Sequence, residues 1–419
     1  MRLQMNRSEK SWILYDVGNS AFVLIVVTVL MPIFFKEVVA RDLAPAVSTA
    51  WWGYANALSS LFLVVLAPIL GVFADYRGWK KKLFTCFFLT GVTATALLTL
   101  SGPGAWVYCL TIFIVARTGW AGANVFYDSF ITDITEPARM DRVSTAGYAW
   151  GYIGSVAPFL AVIGLITGLG SGGSIPVLAA RISFAIVAVW WLAFTLPLLR
   201  DVQQTHFCPP ATHPVREAFK RLRSTFSDIR NHRNAFMFLL AYFFYIDGVD
   251  TIITMAVAYG VDLGLSSATL ILAILVIQLV AFPCSLAWGR LSGHYSAKLL
   301  LQAGIAMYSL ITLIAFLLPS LPTLQSKTAV FWTLSILVGT SMGGIQALSR
   351  SFFGRLIPAE QSAEFFGFYN IFGKFANIAG PLLVGAFGQL TGHSRYGVLS
   401  ILVLFVMGSL ILTRVQEHA

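Results

Sequence analysis

Asp16, Asn19, Arg117, Asp128, Asp247, Asp250 and Lys374 fall inside stretches that are otherwise almost wholly apolar. In a hydrocarbon layer each such charge costs about 2.5 to 3.5 kcal/mol on insertion scales, so it faces a cavity or a partner. Asp16 and Asn19 are three residues apart, as are Asp247 and Asp250, so each pair shares one face of a helix. A carboxylate there binds a cationic amine or carries a proton; the structural alternative is that these groups satisfy backbone or water at helix breaks near Gly18 and Gly248. Arg117 favours the ionised form of a nearby carboxylate, and so couples protonation to substrate, or it pairs with a carboxylate of the substrate itself. A plain salt bridge to Asp128 is disfavoured, because eleven residues of one helix separate the two by about 16 Å. No histidine, cysteine and carboxylate cluster has metal-ligand spacing, so neither metal nor other cofactor is expected.

The elements that must position these residues are membrane helices. The 419 residues are 57% hydrophobic and only 11% charged, against about 25% charged in soluble domains, and the mean hydropathy is +0.78. A helix crossing about 30 Å of hydrocarbon needs about 20 residues. By that measure there are twelve spans, near 11–35, 47–74, 82–101, 105–132, 143–169, 176–199, 234–260, 265–289, 298–319, 328–354, 362–389 and 395–415. Of the 28 Lys and Arg residues, 21 fall in segments on the side of the termini, and the opposite loops hold five (Lys36, Arg41, Arg181, Lys327, Arg395). Positive residues stay cytoplasmic, which puts both termini inside. In a membrane protein the net charge of +10 reflects this bias and does not point to nucleic acid.

Residues 1–199 and 234–419 each hold six spans, and 200–233 is a polar cytoplasmic linker. Within it Val215, Phe219, Leu222, Phe226 and Ile229 recur at helical steps opposite basic residues, which predicts an amphipathic helix lying on membrane lipid. The halves resemble one another: Asp16-x-x-Asn19 matches Asp247-x-x-Asp250, and Pro137 and Pro158 match Pro358 and Pro381. Trp51, Trp52, Trp190 and Trp191 read as interfacial anchors. Cys86, Cys109, Cys208 and Cys284 show no disulfide framework.

Between the second and third spans lies Gly71-Val72-Phe73-Ala74-Asp75-Tyr76-Arg77-Gly78-Trp79-Lys80-Lys81-Lys82. Gly71 permits close helix approach, Asp75 suits the N-terminus of a helix of the opposite half, and Gly78 gives a tight turn before the lysines. The pattern G-x-x-x-D-x-x-G-x-K-K resembles the loop signature of the major facilitator superfamily, with Trp79 inserted before the basic residues. Gly289 to Lys298 keeps the leading glycine and a trailing lysine, but Gly293 stands at the aspartate position.

Three further stretches narrow the resemblance. Tyr15-Asp16-x-x-Asn19-Ser20-Ala21, Phe126 to Ile134 (with Asp128 where asparagine is commoner) and Asp141 to Ser155 are similar to the autophagy-related vacuolar amino-acid exporter family and its bacterial relatives. The second half matches mainly through Tyr245 to Thr251. The resemblance implies an all-α major facilitator fold, a monomer, and secondary transport with amino-acid efflux as the best-known activity; another exported solute such as a drug or siderophore, or a proton-independent uniporter, stays open. The intramembrane polar residues themselves point to a substrate set of Asp16, Asn19, Asp247 and Asp250 with the adjoining Tyr15 and Tyr245. The resemblance further implies Arg117 and Asp128 as proton-coupling residues, with Gly71, Asp75, Gly78 and Lys80 as gate. The expected partners are a small polar solute, protons and lipid, and the expected place is a bacterial inner membrane. Enzymatic readings fare poorly. The G-x-x-x-x-G-K-[ST] loop of an ATP-driven pump is missing, as is the Gly-x-Gly-Asp partner of an intramembrane aspartyl protease. A channel would show a filter repeat or a charged ring, and none is visible.

Overall fold

Asn6 opens the first helix by accepting from the Glu9 N–H at 2.7 Å while the Glu9 carboxylate accepts from the Asn6 N–H at 2.8 Å. This reciprocal cap satisfies two donors that a helix start leaves orphaned. The computed structural model describes residues 5–170, 175–209 and 232–417, so the helix expected from Val215 to Ile229 lies outside the described residues. Twelve long helices follow among them: α1 (Arg7–Val39), α2 (Pro45–Ala74), α3 (Trp79–Leu97), α4 (Trp106–Ser129), α5 (Met140–Leu169), α6 (Val177–Asp201), α7 (Arg233–Asp262), α8 (Ser267–Leu291), α9 (Ala297–Leu317), α10 (Leu324–Leu356), α11 (Ser362–Thr391) and α12 (Ser394–Thr413), and among the described residues all but α11 are both long and apolar enough to cross a membrane. The apolar runs read from sequence coincide with them to within about one helical turn. α1 is not uniform, since Phe22–Leu30 and Phe35–Val39 wind as π-helix around Pro32. Pro68, Pro158, Pro197, Pro283 and Pro381 stand inside α2, α5, α6, α8 and α11, where each removes a backbone donor and frees a carbonyl.

The chain packs as two compact units. The first takes in the described residues of Met1–Thr135, Trp150–Leu222 and Ala359–Gly367; the second takes in Glu136–Ala149, Arg223–Pro358 and Phe368–Ala419. In the first, α4 lies against α2 and α3, and α6 against α1 and α3. In the second, α10 lies against α8 and α9, and α12 against α7 and α9. Adding six to each helix number carries one packing scheme onto the other, which is the internal repeat of the sequence expressed in three dimensions. The first ten residues of α5 pack in the second unit, and the first six of α11 in the first.

Two sequence expectations change. Trp191 is no interfacial anchor: it is fully buried at mid-α6, packed against Phe22 and Phe88. Trp52, half-buried, stacks on Phe35 and Phe113, whereas Trp51 remains exposed. Aromatic rings near a span end satisfy either an interface or a core, and only the neighbouring helix decides which. Arg350, counted with the loop charges, is buried inside α10.

Candidate substrate site and gate

In the first unit the Asp16 carboxylate is buried and accepts from the Tyr127 hydroxyl at 2.7 Å. Tyr127 is held in turn, because Trp12 stacks on its ring at 4.5 Å and donates its indole N–H to the Tyr127 carbonyl at 2.9 Å. Tyr15 is fully buried between Phe84 and Tyr127, so it supports the wall behind Asp16. One turn along α1, Asn19 Oδ1 accepts from Trp120 Nε1 and from Asn124 Nδ2. Arg117 donates to Asn56 Oδ1 on α2. Arg117, Trp120, Asn124 and Asp128 recur at helical steps along α4 and all are half-buried, while their neighbours Ala116, Gly119, Ala123 and Tyr127 are buried. Arg117 and Asp128 form no ion pair with each other.

In the second unit Asp247 is fully buried, and both its carboxylate oxygens lie 2.9 Å from the Gly380 N–H. Thr251 Oγ1 adds a long contact at 3.4 Å. Gly380 directly precedes Pro381, so the aspartate supports α11 at its proline break. A Cβ at Gly380 would lie 2.8 Å from Asp247 Oδ1, which leaves no room for a larger residue at this approach. Asp250 is half-buried on the same face of α7. Tyr245 is fully buried, with its hydroxyl 2.6 Å from Ser349 Oγ. The side chain of Lys374 falls outside the described residues.

The residues expected to form a gate meet within the first unit. Gly71 lets α2 touch the start of α11 so closely that a Cβ there would lie 2.6 Å from the Ala363 carbonyl oxygen. Asp75 is fully buried, and its carboxylate accepts from the Ala363 N–H at 2.9 Å and the Glu364 N–H at 3.2 Å. Both N–H groups belong to the first turn of α11, where a carboxylate offsets orphan donors and the positive end of the helix dipole. Gly78, at φ 76°, turns the chain into α3. Lys80 then lies fully buried, 2.7 Å from Asp133 Oδ2 and 2.8 Å from Ser362 Oγ.

Sequence reasoning missed three parts of this site. Asp133 is the partner of Lys80, and its other oxygen accepts from the N–H groups of Thr205 and His206 at 2.9 and 2.8 Å. Those residues belong to a strap after α6. Its Gln204 bonds Gly78 and Ala74, and its Cys208 N–H donates to the Asp75 carbonyl at 2.8 Å. The second unit carries a counterpart of this cluster. Gly289 packs on Arg142 and Thr145 at the start of α5, and Asp141 bonds Ser351 and Arg355, the latter at 2.6 Å. There Arg350 donates to Ser144 Oγ and to the Ser144 carbonyl at 3.0 and 3.1 Å. The leading glycine at 289 was a legible signal for this counterpart; the acid, moved from α8 to α5, was not.

Twelve long helices in a six-helix repeat, with Asp16 and Asn19 on α1 matched by Asp247 and Asp250 on α7, are the architecture of a membrane transporter of the major facilitator superfamily, the class to which the 45% identical relative below also belongs. The fold agrees with solved members: the human organic anion transporter MFSD10 (TETRAN) aligns at TM-score 0.70 and 15% identity over 97% of this chain and 99% of its own. The E. coli fucose:proton symporter FucP aligns at TM-score 0.72 and 12% identity over 98% of each chain. The chain belongs to the family described as vacuole effluxer Atg22 like, which matches residues 46–419. It is 45% identical to the uncharacterized MFS-type transporter YxiO of Bacillus subtilis (strain 168), over 100% of this chain and 97% of that protein. Against autophagy-related protein 22 of Coccidioides immitis it is 24% identical, over 87% of this chain and 72% of that protein.

Proposed function

We propose that the protein exports a small polar, amino acid-like solute in exchange for protons, by alternating access, as a monomer in a bacterial inner membrane with both termini cytoplasmic. The observation that carries this reading is the repeated polar pair, Asp16 with Asn19 and Asp247 with Asp250, on the first helix of each six-helix repeat in a family named for efflux. Asp16, Asn19 and Asp250 supply substrate contacts. Asp247 does so from a carboxylate that also holds the Gly380 backbone, so binding and the break in α11 are linked through one side chain. Tyr15 and Tyr245 act from behind, by fixing the walls on which the acids stand. Arg117 and Asp128, on one face of α4, couple the exchange to protons. Asp75, with Gly71, Gly78 and Lys80, latches the first turn of α11 and is released once per cycle.

Reconstitution into liposomes with an imposed pH gradient tests the coupling. Export of labelled solute is expected to follow the gradient in the wild type and to lose that dependence in Asp128→Asn. Flux that ignores the gradient in both proteins leaves a uniporter.

A further inference from the structure

The three lysines that follow the Gly78 turn have separate fates. Lys80 is buried on Asp133, and Lys81 Nζ donates to the Val202 carbonyl at 2.8 Å. Lys82 faces outward. Its ammonium lies 5.5 Å from the centre of the exposed Trp79 ring, and among the described residues it has no ion pair. Both residues belong to the first turn of α3, where a tryptophan and a snorkelling lysine meet the headgroup layer.

Trp79, Lys82, Cys86 and Thr90 recur at helical steps, so they form a stripe on one exposed face of α3. Cys86 and Thr90 stand about 6 and 12 Å further along the helix than Lys82, inside the hydrocarbon. There the stripe enters a groove of about 190 Å³, lined by Phe62 of α2, by Cys86, Phe87 and Thr90 of α3, and by Val115 and Gly119 of α4. Its floor is open because α3 and α4 meet backbone to backbone: a Cβ at Gly119 would lie 2.5 Å from the Gly91 nitrogen. Phe62, Cys86, Thr90 and Val115 are exposed, so the groove faces outward. On α4 it lies nearly opposite the face that carries Arg117, Trp120, Asn124 and Asp128, so it is separate from the candidate substrate site.

We infer that this stripe binds one anionic phospholipid, with the headgroup phosphate on Lys82 beside Trp79 and one acyl chain laid along Cys86 and Thr90 into the groove. Depth, shape and charge each point to that occupant. A chain running from Lys82 to Thr90 covers about 12 Å, which fits within one leaflet of a hydrocarbon layer about 30 Å thick. The groove is larger than the apolar cavity of about 150 Å³ that stays dry and takes up benzene, so it accepts a stretch of hydrocarbon. One lysine at an anionic lipid surface favours binding about fivefold, which gives the site its preference for a negative headgroup.

The test is competition photolabelling of the purified full chain in detergent, with a phosphatidylglycerol that carries a diazirine in its acyl chain. Labelling is expected to concentrate on residues 86–90 and 114–119. Phosphatidylglycerol is expected to displace it at a concentration about fivefold lower than phosphatidylcholine of the same chains needs. Lys82→Gln is expected to bring the two lipids to parity, and Lys82→Arg to keep the preference. Thr90→Trp fills the groove from an exposed position; it is expected to remove labelling at 114–119 with the thermal midpoint unchanged, which separates loss of the site from loss of the fold. Labelling spread evenly over other exposed apolar faces, such as Val403 and Leu410 of α12, or displaced equally by both lipids in the wild type, leaves ordinary bilayer contact and overturns the inference. Displacement by soluble glycerol phosphate assigns the site to a free phosphate, and a preference that persists in Lys82→Gln puts the headgroup elsewhere; either result also overturns it.

Discussion

Asp75 illustrates how much one carboxylate does at a helix start. It offers two oxygens to two backbone donors of α11, and its own carbonyl holds the strap at Cys208. Hydrogen bonds to a charged group contribute about 1.5 to 3 kcal/mol each. Asp75→Asn keeps one acceptor and loses the charge, so counterflow is expected to slow by about tenfold or more with the protein still folded; unchanged counterflow would remove Asp75 from the gate. Lys80 and Asp133 form a different kind of contact, a fully buried ion pair at 2.7 Å. Removing one member strands the other charge, which costs about 3 to 5 kcal/mol, whereas removing both leaves nothing stranded. Denaturation of Lys80→Met, Asp133→Asn and the double variant is expected to show the double less destabilised than the sum of the singles. Strict additivity would mean that the pair contributes no coupling. The sequence showed Asp75 through its glycine and lysine neighbours. It did not show Asp133, whose partner lies 53 positions earlier.

The strap from Val202 to Cys208 shows the same limit at the scale of an element. Read along the chain it is the start of a polar linker with no periodicity. In the fold it crosses the ends of α2, α3 and α4: Lys81 Nζ donates to the Val202 carbonyl at 2.8 Å, Gln204 bonds both sides of the Gly78 turn, and Thr205 and His206 cover Asp133. Arg77 lies over the Phe207 ring at 5.3 Å. Cys208 reports on this arrangement, because its half-buried thiol lies 3.3 Å from the Glu360 carbonyl. In a Cys86→Ser background, Gln204→Ala combined with Thr205→Val is expected to raise the rate of Cys208 labelling by a water-soluble maleimide severalfold. Labelling as slow as in the parent would show that the remaining contacts hold the strap unaided. The helices themselves were legible, since a 20-residue apolar run has few alternatives in a bilayer. The π-helical turns of α1 were not, because they depend on what packs beside Phe22–Leu30.

At the scale of the whole molecule the charge bias makes its own prediction. A reporter fused after Ala419 is expected to read cytoplasmic, and a periplasmic reading would invert the gate as well as the topology. Removing Arg350 from the loop residues leaves the bias intact, because the opposite loops hold only five basic residues. The sequence by itself determined the membrane class, the twelve spans, the six-helix repeat and the family, because each follows from local hydropathy or from short motifs whose residues are close in the chain. Tertiary structure alone decided that Asp247 holds a proline break 133 positions away, that Tyr15 and Tyr245 stand in cores, and that Trp191 is interior. It also decided that Arg117 donates to Asn56 on α2. In a medium without water every buried polar group must find its partner within the protein, and that partner is fixed by which helices pack together, not by which residues follow one another.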